Sequence, residues 1–284
     1  MSKGLLDPKV DFVFKNIFGS PNHPEILISF LNATLKAKKK IVNVDIKKTD
    51  IEKQYIEDKY SRLDVKATTS NDEIINIEIQ LKNENNMVKR SLYYLSKMYE
   101  EQLNEKEDYS KLVRTVCINI LNFKYLKTDN FHTGYRFKEI ESNEELTDIM
   151  EVHFIEIPKL QDSSDEKDML VAWTEFLKDP ESEKVRGLEL SIEEIRQAKD
   201  ELIRMSNDST QRELYDMRAN SLRDKMSELN AAERKGIEKG REEGREEGRK
   251  EEKIKIARNM KLSGIDTNTI AKVTNLSEDE IDKL

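Results

Sequence analysis

Asp64 and Glu78 are the two residues whose types and spacing most directly indicate chemistry. Each lies in a run of alternating polar and apolar residues, 61–67 and 73–82, a pattern typical of a half-buried β-strand. Between the runs, residues 69–72 are Thr, Ser, Asn and Asp, which favour turns. The sequence therefore predicts an antiparallel hairpin that brings the two carboxylates towards each other.

The register of this hairpin follows from its apolar residues, which must all face the same core. A hairpin centred on Asn71 meets that condition. It sets three apolar pairs opposite each other: Leu63 and Ile79, Val65 and Ile77, and Ala67 and Ile75. The same register predicts that Asp64 lies opposite Glu78 and that Arg62 lies opposite Gln80.

Two carboxylates in opposed positions, with Cβ atoms roughly 5 Å apart, repel each other. A hard cation between them would relieve this repulsion, and Mg²⁺ binds to one or two carboxylates together with water and a substrate phosphate. The alternative is an ordinary solvated strand face, on which Arg62 and Lys66 screen the two charges. The hairpin pattern alone leaves both interpretations open.

The composition limits the class of protein. The chain has 284 residues, of which 37% are charged, and its formal net charge of −8 argues against a surface coated for nucleic acid, although a local basic cleft is compatible with it. Cys117 is the only cysteine, which excludes an intrachain disulfide and predicts a reducing, cytoplasmic location. No apolar run approaches the roughly 20 residues of a membrane span, and the first residues lack the apolar core of a signal peptide. The three histidines are scattered along the chain, so the sequence does not predict a zinc cluster.

Residues 1–180 alternate helical and strand patterns around one predicted sheet. The predicted helices span residues 7–19, with Asp7 as N-cap, 24–35, 86–103 and 165–177. The predicted strands lie at residues 41–46, in the hairpin, and at 112–121, 135–137 and 152–157. Asp11 and Lys15 on the first helix are either a surface ion pair or the edge of a site. The third helix has a polar stripe that is either plain surface or a border of the site: Arg90, Tyr94, Lys97 and Glu101.

Beyond Pro180 the strand patterns end and charged residues dominate, so we expect three regions: 1–180, a charged helical extension over 181–250, and a small helical tail over 251–284. Glycines recur every four residues in the extension, at Gly236, Gly240, Gly244 and Gly248. They predict either a solvated helix weakened by glycine or, as we favour, a helical linker that self-associates through residues 189–262. The tail is similar to a small helix-turn-helix. Because its last helix is acidic, we expect it to pack or bind a partner rather than read DNA.

In these motifs the chain resembles the Rpn family of recombination-promoting nucleases, also described as transposases, in the PD-(D/E)XK nuclease superfamily. Four pieces carry the resemblance: residues 11–19 (DFVFKNIFG), 61–65 (SRLDV), 77–80 (IEIQ), and Arg90 with Tyr94. The resemblance implies an α/β fold with a restriction-endonuclease-like core, in which helices flank a central mixed sheet. A charged helical C-terminal region follows this core.

The resemblance also implies a metal-dependent endonuclease that hydrolyses phosphodiester bonds of double-stranded DNA, in recombination or mobile-element biology. Asp64, Glu78 and the carbonyl of Ile79 would bind Mg²⁺ or another divalent cation, and Gln80 would position a water. Most of the superfamily has lysine where this chain has Gln80, and glutamine cannot act as a base. The residues expected at the edge of the site or against DNA are Asp11, Lys15, Arg62, Lys66, Lys82, Arg90 and Tyr94, with Lys66 or Lys82 as sources of positive charge.

Two rival interpretations remain at this stage. One is a catalytically weak nuclease-fold module that binds DNA or protein and oligomerises through its helical tail. The other is a structural interaction protein whose hairpin carboxylates are only surface groups.

Overall fold

The computed structural model describes residues 4–36, 39–47, 50–51, 61–62, 64–165 and 167–284. The strands are β1 (Val44–Lys47), β2 (Asp50–Ile51), β3 (Ser61–Arg62), β4 (Val65–Thr69), β5 (Ile74–Gln80), β6 (Thr115–Leu121), β7 (His132–Lys138) and β8 (Glu145–Glu156). The helices are α1 (Asp11–Phe18), α2 (Pro24–Leu35), α3 (Met87–Glu100), α4 (Met169–Lys178), α5 (Glu183–Glu189), α6 (Glu193–Asn207), α7 (Ser209–Leu262), α8 (Thr267–Thr274) and α9 (Glu278–Asp282).

Six strands form one mixed sheet in the order β1-β4-β5-β6-β8-β7. β5, β6 and β8 are parallel to one another, whereas β1, β4 and β7 are antiparallel to their neighbours. β6 is buried along its whole length, as expected for a central strand with both faces covered. This α/β sheet with flanking helices and a helical C-terminal region confirms the predicted fold class.

The predicted register of the central hairpin is confirmed over its paired part. Val65 lies opposite Ile77 and Ala67 opposite Ile75, which points both apolar sets at one core, whereas a shift by one residue would turn one set away. Leu63 lies outside the described residues, so its predicted pairing with Ile79 cannot be followed there.

The predicted position of Arg62 was wrong. Its backbone belongs to β3, and its Cα partner is Asp50 in β2 rather than Gln80. Two-residue strands β2 and β3 form a separate ribbon. Strand alternation therefore continues in the sequence beyond the point at which the chain leaves the main sheet.

The polar face of β5 is covered by α3 rather than by water. Cys117 of β6 lies on this face and packs with Met87 and Leu95 of α3. Glu78 is consequently only 2% exposed. The solvated strand face that the alternation allowed is therefore wrong for Glu78.

The other face of β5 carries isoleucines, and α1 packs against this strand. Beside it an aromatic cluster joins three helices, since Phe18 of α1 makes edge contacts with Phe30 of α2 and Trp173 of α4. These helices hold α1, and with it Asp11 and Lys15, in a defined position relative to the hairpin.

The first helix begins three residues later than predicted, with Val10 rather than Asp7 as its N-cap. The Asp7 carboxylate accepts a hydrogen bond from the backbone of Lys9 (2.9 Å), and the Asp7 carbonyl accepts one from Val10 (3.1 Å), so Asp7 and Pro8 form a turn. Val10 is the N-cap, and the helix ends at Gly19 as predicted.

The chain divides into two compact units, 1–220 and 221–284. In the second unit, Ala257, Ile270, Leu276 and Ile281 form an apolar cluster. Ser277 and Glu280 form a capping box at the start of α9. Among the described residues, no helix is both long and apolar enough to cross a membrane.

Candidate active site

Asp64 lies immediately before β4, where the chain enters the main sheet. Its Oδ2 accepts a hydrogen bond from the backbone N–H of Ile79 (2.9 Å), and its Oδ1 lies 3.9 Å from Nζ of Lys15. The hairpin register supplies the first contact and the packing of α1 supplies the second. Asp64 is thus held against β5, one residue from Glu78.

Glu78 lies in β5, and its carboxylate points towards α3. Its Oε2 is 3.1 Å from Nη2 of Arg90, and its Oε1 is 3.5 Å from Nδ2 of Asn76. Asn76 and Glu78 share a face because they are two residues apart on one strand. Both residues are buried. Arg90 is the positive charge that acts on the Glu78 carboxylate.

Both carboxyl groups have pKa values above the ordinary range. Burial raises the pKa of Asp64 to about 6, although the hydrogen bond from Ile79 and the charge of Lys15 lower it. Burial, and then the charge of Asp64, raise the pKa of Glu78 to about 7, against the opposing effect of Arg90. The two acids are therefore near enough to repel each other in a site that disfavours negative charge.

These residues fit a divalent cation that also binds water and phosphate. Asp64 and Glu78 supply two hard oxygen donors, and a cation would offset the cost of ionising them. In the described part of the chain, no group of three or more His, Cys, Asp or Glu side chains forms a ready-made metal cage. Mg²⁺ does not require one, since it usually keeps several waters and uses one or two carboxylates.

Asp11 and Lys15 do not form the surface ion pair that one interpretation of the sequence expected. Lys15 is directed to Asp64, whereas Oδ2 of Asp11 is 2.8 Å from Nη1 of Arg218 on α7. The charge of Asp11 nevertheless contributes to raising the pKa of Asp64. Both side chains thus lie within electrostatic reach of the carboxylates.

The remaining predicted site residues occupy different positions around β5. Gln80 and Ile79 are at its carboxyl end, and Lys82 follows in the next loop. Lys66 on β4 is directed to Glu101, with Nζ 3.4 Å from Oε2. The side chain of Arg62 lies outside the described residues.

Arg90 and Tyr94 of α3 form one wall of the site. Tyr94 is buried, and the Arg90 guanidinium carbon lies 5.3 Å from the centre of its ring, in reach of a cation–π interaction. Arg90 therefore contacts both an aromatic ring and the carboxylate of Glu78.

Sequence reasoning missed Asn76 and Arg218. Asn76 is fully buried, and among the described residues its Oδ1 has no hydrogen-bond partner. An uncharged polar residue two positions before Glu78 was a usable signal, because it shares that residue's strand face. Arg218 gave no signal, since it lies in a charged helix more than 200 residues from Asp11.

The structure thus combines a mixed sheet with one carboxylate just before β4 and another near the end of β5. The chain belongs to the family described as PD-(D/E)XK nuclease family transposase, whose sequence model matches residues 8–232. A second model, for the Rpn/YhgA-like nuclease family C-terminal HTH domain, matches residues 250–284. No curated protein and no solved structure matches the chain.

These matches confirm the resemblance to Rpn family nucleases and support a nuclease- or transposase-related role. They also identify the tail as a helix-turn-helix domain, a class that suggests DNA binding. The sequence alone favours packing or partner binding, because α9 begins with three acidic residues: Glu278, Asp279 and Glu280. The family match instead supports DNA binding by the domain.

Proposed function

We propose that this protein is a metal-dependent endonuclease that hydrolyses phosphodiester bonds of double-stranded DNA. The observation that carries the proposal is the buried pair of carboxyl groups, Asp64 and Glu78. Their raised pKa values show that this site disfavours the charge of its own carboxylates. Strained electrostatics of this kind are typical of functional sites, because folding alone gains nothing from them. A role in DNA recombination or mobile-element biology rests on the family description, and a cytoplasmic location rests on the single cysteine.

Asp64, Glu78 and the backbone carbonyl of Ile79 are the groups that would hold Mg²⁺ or another divalent cation. When bound, such a cation supplies charge neutralisation at the phosphate and a more acidic water. The hydrogen bond from Ile79 orients Asp64, and Asn76 with Arg90 orients Glu78. The protein thereby presents its oxygen donors in a fixed arrangement before substrate binds.

The positive groups around the pair are suited to a phosphate. Lys15 and Arg90 each lie beside one carboxylate, so they can stabilise negative charge on a phosphodiester bound between them. Gln80 can orient a water through its amide, but it cannot take up a proton. Gln80 is therefore not the proton acceptor, and the proposal gives that role to no residue of the site.

Plasmid nicking by the purified full-length protein tests this function. We expect cutting with Mg²⁺ and none with chelator. The Asp64→Ala variant should lose cutting rate by at least about 100-fold, because only one of the two carboxylates that would hold the cation remains. Asp45→Ala is the matched control, because Asp45 is an exposed acid on β1. Equal cutting by wild type and Asp64→Ala would show that the hairpin is not the active site.

A second candidate function is a catalytically weak module that binds DNA or a partner through the same fold. Gln80 favours it, since a lysine at this position would supply the positive charge that glutamine lacks. A gel shift without cutting, at any Mg²⁺ or Mn²⁺ concentration, would support this candidate over the first.

A further inference from the structure

A pocket of about 380 Å³ opens beside the carboxylates, between the loop that follows β5 and the first turns of α3. It is lined by Glu84, Asn86, Lys89, Arg90, Tyr93 and Tyr94. Its volume lies at the lower end of the range of small-molecule sites, about 300–1,000 Å³. A pocket of this size can hold a small ligand such as one nucleobase.

Arg90 connects this pocket to the candidate active site. Its guanidinium lines the pocket, and its Nη2 lies 3.1 Å from Oε2 of Glu78. A group bound in the pocket is thus separated from the Glu78 carboxylate by a single side chain. A nucleotide bound in the pocket would therefore lie next to the candidate active site.

Four of the five lining residues from α3 and its N-cap form one helix face, whereas Tyr94 belongs to the buried stripe. Asn86, Lys89, Arg90 and Tyr93 are spaced i, i+3, i+4 and i+7, which places them in one stripe. This stripe is separate from the buried one, which consists of Met87, Ser91, Tyr94, Leu95 and Met98. Core packing therefore does not account for an aromatic residue at position 93.

Tyr93 presents its ring at the surface. Tyr93 is 41% exposed, whereas Tyr94 is 7% exposed and contacts the guanidinium of Arg90. The two rings lie 5.8 Å apart at 60°, so Tyr94 supports its neighbour from one side. The outer surface of Tyr93 remains available for stacking.

The chemistry of the lining matches a nucleobase attached to a phosphate. An aromatic ring stacks on any base, Lys89 and Arg90 attract the phosphate, and the amide and carboxylate of Asn86 and Glu84 can bond to a base edge. A base inside an intact duplex cannot present its face to Tyr93. The pocket thus favours a base that is unpaired.

We propose that this pocket binds one unpaired nucleobase next to the cleaved phosphate, stacked on Tyr93, so that the preferred substrate is DNA with a single-stranded or unpaired segment. This inference rests on the proposed nuclease function and specifies its substrate class. Tyr93 is a specificity-determining residue in this assignment, because it touches the substrate base and not the reacting phosphate.

The first test measures binding in chelator, where cutting cannot interfere. Full-length protein is titrated into oligonucleotides that carry 2-aminopurine, whose fluorescence falls on stacking, in three forms: single-stranded, bulged duplex and intact duplex. We expect the unpaired forms to be quenched and bound more tightly. The Tyr93→Ala variant should lose about 5- to 100-fold in affinity for them, as stacking of one base implies.

Two variants distinguish stacking from a general structural effect. Tyr93→Trp should restore quenching and affinity, since it keeps an aromatic surface. Tyr109→Ala, at an 82% exposed tyrosine away from α3, should leave both unchanged. Equal binding by Tyr93→Ala and wild type, or preference for the intact duplex, would overturn the assignment.

The nicking assay separates failure of this inference from failure of the nuclease function. If Tyr93→Ala cuts bulged and intact duplexes with the same ratio as wild type, the pocket assignment is wrong and the nuclease remains. If wild type cuts nothing but still quenches unpaired 2-aminopurine through Tyr93, the pocket assignment stands and the nuclease function fails.

Discussion

At the scale of single residues, Asp64 and Glu78 are held where ionisation is unfavourable. Burial raises both pKa values, so the folded protein binds protons more tightly than the unfolded chain does. Their contribution to the free energy of unfolding is therefore greatest below the ordinary carboxyl pKa. It falls as the pH rises from about 4 through about 7. A site arranged in this way reduces stability at neutral pH in exchange for cation affinity.

The Asp64→Asn variant should accordingly be more stable than wild type in chelator at pH 8, by about 1–3 kcal/mol. Asparagine keeps an oxygen for the hydrogen bond from Ile79 but removes the buried charge. Urea unfolding from pH 4 to pH 8 should show a difference that widens as the pH rises. A destabilised variant, or a difference independent of pH, would contradict the electrostatic account, and Asp45→Asn supplies the exposed control.

Cation binding should offset the loss of stability that the buried carboxylates cause at neutral pH, in the wild type but not in the Asp64→Asn variant. Mg²⁺ binds the ionised carboxylates of the folded state, so it should raise the melting temperature, by an amount equivalent to about 2.7 kcal/mol at 100 times its dissociation constant. Asp64→Asn should lose most of this gain. Thermal unfolding followed by circular dichroism across a Mg²⁺ titration measures both, and an equal gain in the two proteins would place the cation elsewhere.

At the scale of elements, a partly buried charge cluster links β8 to β7 and to Arg114 just before β6, and the sequence did not predict it. Glu151 of β8 is paired with Arg114 and Arg136, and its Oε1 is 2.6 Å from Nε2 of His153. His153 in turn lies 2.9 Å from His132 on β7. Burial opposes the charge on Glu151, but the hydrogen bonds from His153, Arg114 and Arg136 lower its pKa to about 2.

Glu151→Gln should destabilise the protein by about 3 kcal/mol at pH 7, because it leaves two partly buried arginines without the anion that they share. Since the pKa of Glu151 is lowered on folding, this stability is present above the ordinary glutamate pKa and is lost as the pH falls from about 4.5 towards 2.

Glu145→Gln is the matched control for that variant. Glu145 also pairs with Arg136, but its side chain is 43% exposed, so its loss should cost about 1 kcal/mol or less. Chemical unfolding of both variants at pH 7 checks the prediction. Similar losses in the two would show that burial of the cluster is not what gives Glu151 its importance.

At the scale of the whole molecule, the middle of the 54-residue helix α7 is charged and exposed. Another chain can therefore contact it. A Cβ built at Gly236, Gly240, Gly244 or Gly248 meets no described atom within 4 Å. These glycines cost helix stability without helping to pack the described fold. Self-association through residues 189–262 therefore remains our prediction for this segment.

Light scattering after size-exclusion chromatography tests self-association. One chain has a mass of 33.3 kDa, so the whole chain should elute with a measured mass that is a multiple of this value. Truncation at Glu233 should reduce the measured mass to that of one truncated chain. Replacing Gly240 and Gly244 by leucine favours the helix but blocks close approach, so it should also weaken the assembly. A monomeric full-length protein would contradict the prediction.

The sequence by itself determined the hairpin register, the buried central strand and the order of elements. Alternation in residues 65–69 and 74–80 excludes a shift by one residue, which would bury a polar set, and the turn residues between them favour the observed pairing. The apolar run at 115–121 indicates a covered strand, as observed. These features depend on neighbouring residues, which is why the pattern suffices.

Only the tertiary structure decided which polar faces are buried and which distant charges meet. Alternation left a solvated Glu78 face possible, but α3 covers this face. The same packing brings Arg90 to Glu78 and Tyr93 to the rim of the pocket. Contacts of this kind join separate elements, whose approach is set by the packing of the whole core. For that reason a local pattern could indicate the Asp64–Glu78 pair but not the environment that raises the pKa values of both.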